Sequence, residues 1–157
     1  MQLAARGPLT SEKPVILLDL NSTFVENTRE AHRLPYTYNV AAERYRMWML
    51  PFLRAHEVVL ITVRPERLKG STLDRIEALC GWGPAMACFN PWRLAAPACK
   101  ARHLVETVFP CFGQAEPGRY LALESNAQTR AMYAGYGILA VTQQKLAKSQ
   151  MADRELD

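Results

Sequence analysis

Short, unbroken apolar runs alternate along this chain with longer stretches in which apolar residues return at helical spacing. The first run, Val15 to Leu18, has no polar alternation and predicts a strand buried on both faces, the habit of a parallel sheet covered by helices. A second, β-branched run, Glu57 to Thr62, predicts the next strand. Between them, Asn39 is placed to cap a helix through Ala41, Ala42, Tyr45, Met47 and Trp48 toward Arg54, with Pro51 kinking or restarting it. Val63 to Gly70 then reads as a charged loop. Ser71 is expected to cap a helix carrying Leu73, Ile76 and Leu79 on one face, stopped by Gly81 and Gly83.

The second half repeats the alternation. Ala85 to Phe89 predicts a third strand. Pro97 opens a helix through Lys100, Leu104, Val105 and Val108, which Pro110 and Gly113 are expected to end. Arg119 to Leu123 and Ile138 to Val141 predict strands four and five, with a helix over Ala127 to Tyr136 between them and Asn126 as its cap. Five strands alternating with helices imply one doubly wound, three-layer α/β/α domain with a Rossmann-like parallel sheet. Its expected bounds are 14–143, after a flexible lead over 1–13 and before a polar tail over 144–157.

Composition narrows the setting without naming a chemistry. A chain of 157 residues can bury one sizeable core, and 49% hydrophobic with 22% charged residues is ordinary for a globular protein. No apolar run approaches bilayer length, and residues 1–14 lack the apolar segment of a secretory signal. A net charge of +4 tilts the chain only weakly toward polyanionic partners. Cys80, Cys88, Cys99 and Cys111 form no C-x-x-C pair and have no histidine at zinc-finger spacing, so reduced thiols and a cytoplasmic setting are the expectation. His32, His56 and His103 lack metal-ligand spacing and are read as structural.

Candidate chemistry lies where the strands end. In open α/β sheets the ligand crevice lies outside the carboxyl ends of the strands, which is where Asp19, Thr62 and Glu124 fall. Taken singly, each has a plainer reading: Asp19 as a loop cap, Thr62 as a turn hydroxyl, Lys100 as a solvated helix lysine. Arg64, Arg67 and Lys69 read as a wet basic loop or as a phosphate contact, and Trp92 beside Arg93 as a core cover or a base-stacking ring.

Taken in order, an apolar run then D-x-N-x-T, an apolar run then T-x-R, a helical lysine, and an apolar run then an acid resemble the four motifs of the haloacid dehalogenase-like (HAD) superfamily. The resemblance implies a HAD fold with a five-stranded parallel sheet. It also implies a Mg²⁺-dependent phosphatase in which Asp19 is the nucleophile, Thr62 binds a phosphoryl oxygen and Lys100 offsets charge. Asp19, the carbonyl of Asn21 and Glu124 would hold the Mg²⁺. The segments around Thr62, Lys100 and Glu124 further resemble the phosphatase domain of phage-type polynucleotide kinase/phosphatases, which makes Arg64 a substrate-facing arginine and a nucleotide or nucleic-acid end the expected partner. A phosphorylated small molecule is the other.

Two residues depart from the HAD pattern. Asn21 stands where the phosphatases carry a second aspartate as general acid and base, and the acidic pair of the fourth motif is reduced to Glu124 and Ser125. A degenerate protein that binds phosphate, nucleotide or a protein partner without efficient turnover is therefore the alternative reading. A phosphoacceptor receiver domain fits less well, because only Glu12 is acidic before Asp19. The segment from Phe24 to Tyr38 is too short for a large cap domain, so an open site suited to a macromolecular phosphoester is expected.

Overall fold

The computed structural model describes residues 13–32 and 38–156. Its five strands, β1 (Val15–Leu18), β2 (Val58–Pro65), β3 (Met86–Asn90), β4 (Tyr120–Leu123) and β5 (Leu139–Val141), form an all-parallel sheet in the order β3-β2-β1-β4-β5. The three-layer, Rossmann-like α/β fold expected from the alternation of elements is the fold observed.

Period two within the apolar runs divides each central strand between two cores. Ile16 and Leu18 of β1 and Val58 and Leu60 of β2 face one cluster; Val15 and Leu17 with Val59 and Ile61 face the other. The register Leu18↔Leu60 and Leu18↔Leu123 keeps like faces together across the sheet. On the first face lie Leu50 and Leu53 of α2 (Leu50–Arg54), Ile76 and Cys80 of α3 (Lys69–Cys80) and Leu146 of the last helix. On the second lie Leu104, Val108, Phe109 and Phe112, together with Tyr133.

Several boundaries differ from expectation, each for a local reason. The helix expected from Asn39 to Arg54 is broken into 3₁₀ turns at Val40–Ala42 and Met47–Met49 before α2. The break falls at Glu43, which is extended (φ −72°, ψ 141°). Tyr45 bridges Val25 instead, and Asn27 ties the segment down by donating to Ala42 O (2.9 Å) and accepting from Arg44 N (2.7 Å). Strand β2 runs on through the supposed loop to Pro65, after which a 3₁₀ turn, Glu66–Leu68, leads into α3 at Lys69. Ser71 therefore lies inside the first turn of α3, its hydroxyl donating to Leu68 O, rather than capping it. Gly81 does close α3 in the left-handed conformation (φ 59°) that glycine adopts at low cost.

The helix opened by Pro97 is α4 (Ala96–His103), which widens into a π turn at Leu104–Val108 and resumes as α5 (Phe109–Phe112). Pro110 does not end it. The carbonyl that a proline ring at 110 opposes is that of Glu106, inside the π turn, where the wider coil relieves the clash. Gly113 ends α5 instead.

Asn126 caps α6 (Ala127–Gly135) by accepting from Thr129 N (2.9 Å). The expected polar tail is a helix, α7 (Gln143–Leu156), anchored by buried Leu146. A short helix α1 (Thr28–Ala31) lies between β1 and the first 3₁₀ turn. Apart from Lys13, the expected flexible lead falls outside the described residues, as do 33–37 of the segment judged too short for a cap. Among the described residues no helix is long and apolar enough to cross a membrane.

Candidate active site

The sheet order sends the chain from β1 to β2 on one side and from β3 back to β4 on the other, so the connection reverses between β1 and β4. A switch point at the strands' carboxyl ends is where the ligand crevice of an open α/β sheet is expected, and Asp19 and Glu124 follow β1 and β4 there. Both are nearly buried. Asp19 N donates to Leu123 O (3.0 Å), which continues the ladder up to the carboxylate-bearing residue.

Both oxygens of Asp19 are engaged. Oδ1 accepts from Lys100 Nζ (2.9 Å); Oδ2 accepts from the hydroxyls of Thr23 (2.8 Å) and Ser125 (3.1 Å). Lys100, on α4, also meets Glu124 Oε1 at 2.6 Å, and Glu124 Oε2 accepts from Asn126 N (3.1 Å). Two carboxylates thus share one ammonium. Burial pushes Lys100 toward neutrality, but Asp19, Tyr133 and Glu124 outweigh it and hold its pKa above the ordinary lysine value. Glu124 is also raised, by burial first and the charge of Asp19 second, against the opposing pull of Lys100. Lys100 gains from two anions at once, whereas Glu124 gains from one cation and is opposed by one anion.

The turn after β1 is tight. Leu20 O accepts from Thr23 N (3.1 Å) and Val25 N (2.9 Å), and Ser22 between them has φ 63°, unusual for a residue with a Cβ. Its N–H donates to Thr28 Oγ1 (2.7 Å), which fixes the loop to α1. This turn directs the carbonyl of Asn21 to Ser125 Oγ (3.2 Å). Ser125 Oγ therefore faces Asp19 Oδ2 and Asn21 O together, yet carries one proton for two acceptors. An all-oxygen point short of protons suits a hard cation such as Mg²⁺. Among the described residues no group of three or more His, Cys, Asp or Glu is arranged to hold a metal, so such a cation would rest on one carboxylate with carbonyl, hydroxyl and water oxygens.

Beside this crevice lies a second polar group. The Arg64 guanidinium, wholly buried, donates to Asn21 Oδ1 (2.9 Å) through Nη2, to Thr72 Oγ1 (3.1 Å) and Glu43 Oε1 (3.1 Å) through Nη1, and pairs with Glu43 Oε2 through Nη2. Glu43 is equally buried and also meets His32 Nε2 (2.5 Å) and Tyr45 OH (3.1 Å). Because Asn39 N donates to His32 Nδ1 (3.0 Å), the ring proton sits on Nε2 and is donated to Glu43. Thr62 is buried too, its Oγ1 accepting from Arg64 N (3.1 Å).

No protein-family model matches this chain, and no curated protein matches it in sequence. Two solved structures share its fold. One is a chain of the Pnkp1/Rnl/Hen1 RNA repair complex, with a TM-score of 0.60 and 14% identity, covering 83% of this chain and 42% of the other. The second, from a structure of the Pnkp1/Rnl/Hen1 complex, has the same TM-score and identity and covers 84% and 46%. This chain spans less than half the length of either.

The six residues singled out from sequence form one connected set. Asp19, Lys100 and Glu124 share the ion cluster, Ser125 ties Asn21 to Asp19, and Arg64 ties Asn21 to Thr62. Sequence reasoning missed Thr23 and Ser125 as direct partners of Asp19, although both lie within the quoted motifs. It missed Glu43 altogether, since nothing in AAERYR marks that glutamate from a solvated helix residue. Trp92 is half-buried, packing against His103 (ring centroids 4.6 Å apart) with the Arg102 guanidinium over its ring (4.2 Å).

Proposed function

We propose that this chain is a Mg²⁺-dependent phosphomonoester hydrolase of the HAD type, acting through an aspartyl-phosphate on a phosphorylated small molecule or a nucleic-acid end. The observation that carries the reading is the position of Asp19 at the switch point, with Lys100 on one carboxylate oxygen and two hydroxyls on the other. A carboxylate so held would attack with its orientation already fixed. An oxygen of Asp19 would bond to phosphorus as the bond to the ester oxygen breaks, and the leaving oxygen would take a proton from water. A second water would then attack phosphorus and release phosphate and the free carboxylate.

Asp19 Oδ2 and the Asn21 carbonyl are the atoms that would hold Mg²⁺, with Ser125 at the same point and Glu124 as the further ligand expected from the resemblance. Mg²⁺ would supply charge neutralisation of the phosphoryl oxygens. Lys100 offsets negative charge beside the nucleophile, and Thr62 would donate to a phosphoryl oxygen. The similarity in fold to a chain of an RNA repair complex supports a nucleic-acid 3′- or 5′-phosphate as the first substrate to try.

The test is phosphate release with Mg²⁺ from a 3′-phosphorylated oligonucleotide and an aryl phosphate, comparing the parent with Asp19→Asn. Turnover by the parent and none by a folded Asp19→Asn supports the reading; an unimpaired variant excludes it. Asn21 favours a second reading, a phosphate- or nucleotide-binding protein with little turnover, because asparagine cannot exchange a proton. That reading predicts binding without release.

A further inference from the structure

We propose that Asn21 serves as a fixed hydrogen-bond donor to a phosphate oxygen of the ligand, its amide orientation set by the buried Arg64–Glu43 pair, with Glu43 as the positioning residue. The inference rests on the reading of this crevice as a phosphate site and assigns a role to the residue that departs from the resemblance.

An asparagine amide has a carbonyl end and a donor end, and its partners decide which faces where. Arg64 can only donate. The atom of Asn21 that meets Arg64 Nη2 at 2.9 Å is therefore Oδ1, and Nδ2 is the opposite end. Among the described residues Nδ2 has no protein partner, while Asn21 is partly open to solvent. Its backbone is held as firmly, by Ser125 on the carbonyl and by the turn through Ser22. The side chain thus keeps two N–H groups free for a ligand and cannot present an acceptor without breaking its bond to Arg64.

Arg64 is not free to release it. Four acceptor contacts, to both oxygens of Glu43, to Thr72 and to Asn21, hold a guanidinium with no exposed surface. Glu43 is in turn fixed by His32 and Tyr45. A neutral donor aimed at an anion strengthens binding without changing the charge of the site. It supplies no proton, so departure of the leaving group depends on that group's own acidity.

The test pairs inorganic phosphate binding by calorimetry, with and without Mg²⁺, with kcat/KM on aryl phosphates of graded leaving-group acidity. Asn21→Ala is expected to weaken phosphate about 10- to 100-fold, the span of a hydrogen bond to a charged group. Asn21→Asp should weaken it further, by removing the donor and adding a like charge. The parent should show a steep dependence of kcat/KM on leaving-group acidity, which Asn21→Asp leaves steep. Glu43→Gln should shift the side-chain amide resonances of Asn21 and weaken phosphate binding; should that variant fail to fold, Thr72→Val removes one Arg64 contact without stranding a charge and should move the same resonances.

Unchanged phosphate binding in Asn21→Ala overturns the donor role, as does an Asn21→Asp variant that turns over faster with a flattened dependence. Unmoved Asn21 resonances in both the Glu43 and Thr72 variants overturn the positioning role. A parent that binds phosphate, with either of these failures, leaves the phosphate site standing; a parent that neither binds nor hydrolyses overturns both.

Discussion

Two buried charge clusters lie side by side in this protein, and they are built to opposite ends. Around Asp19, two carboxylates share one ammonium at the strands' carboxyl ends, so charge is left over. Around Glu43, one carboxylate and one guanidinium cancel, with hydroxyl, imidazole and amide groups taking up most of the remaining valences. Arg64 Nε is a buried atom of that cluster without a hydrogen-bond partner among the described residues. An unbalanced cluster can recruit a cation or an electrophile, whereas a balanced one can only hold its neighbours in place. Equivalent residue types thus give an unbalanced cluster in one location and an anchor in the other.

The largest expected effect separates the two in rate. Asp19→Asn should reduce phosphate release by about 10³-fold or more while the circular dichroism spectrum is kept, since the proposed nucleophile is lost. An anchor residue would not behave so; equal loss from Glu43→Gln at unchanged phosphate affinity would break the comparison.

Stability should invert the order. Glu43→Ala strands the buried Arg64 charge and should cost about 3–5 kcal/mol in urea unfolding. Glu124→Gln removes one of two anions competing for Lys100 and should cost clearly less. A larger loss from Glu124→Gln would show that the strand-end cluster is the structural one.

Metal should act on one cluster alone. Mg²⁺ at a hundredfold excess over its dissociation constant should raise stability by about 2.7 kcal/mol in the parent, read as a rise in Tm that EDTA reverses. Asp19→Asn should lose that rise and Glu43→Gln should keep it.

The smallest effect is a pH dependence of the anchor. Burial, then the neighbouring Glu43 carboxylate, raises the Tyr45 phenol above its ordinary value of 10.0. A raised folded-state pKa contributes stability that is present below pH 10 and lost as the pH climbs toward the folded value. Tyr45→Phe should cost about 1–2 kcal/mol at neutral pH, and the deficit should shrink above pH 10 in urea titrations.

The parallel sheet was legible because β1 and the first part of β2 are continuous apolar runs buried on both faces, and the other strands follow at the same alternation with helices. Asp19, Lys100 and Glu124 were legible because strand ends and motif order locate them independently of their contacts. The segment from Asn39 to Arg54 was misread because helical spacing of Ala41, Ala42 and Tyr45 outweighed contacts made far along the chain: Glu43 turns inward to meet Arg64, 21 residues later, and His32, 11 residues earlier. Ser71 failed as a cap for a related reason, since β2 outlasts its apolar run by pairing Pro65 with Asn90 of β3. Local pattern reads elements that stand on their own burial; it does not read a bend imposed by a distant partner.

Asp19 and Ser125 meet across 106 residues of chain. Nothing short of the assembled sheet brings those two oxygens together, so the crevice has no existence in a partly folded chain. Loss of function in denaturant should therefore coincide with global unfolding, in one cooperative transition.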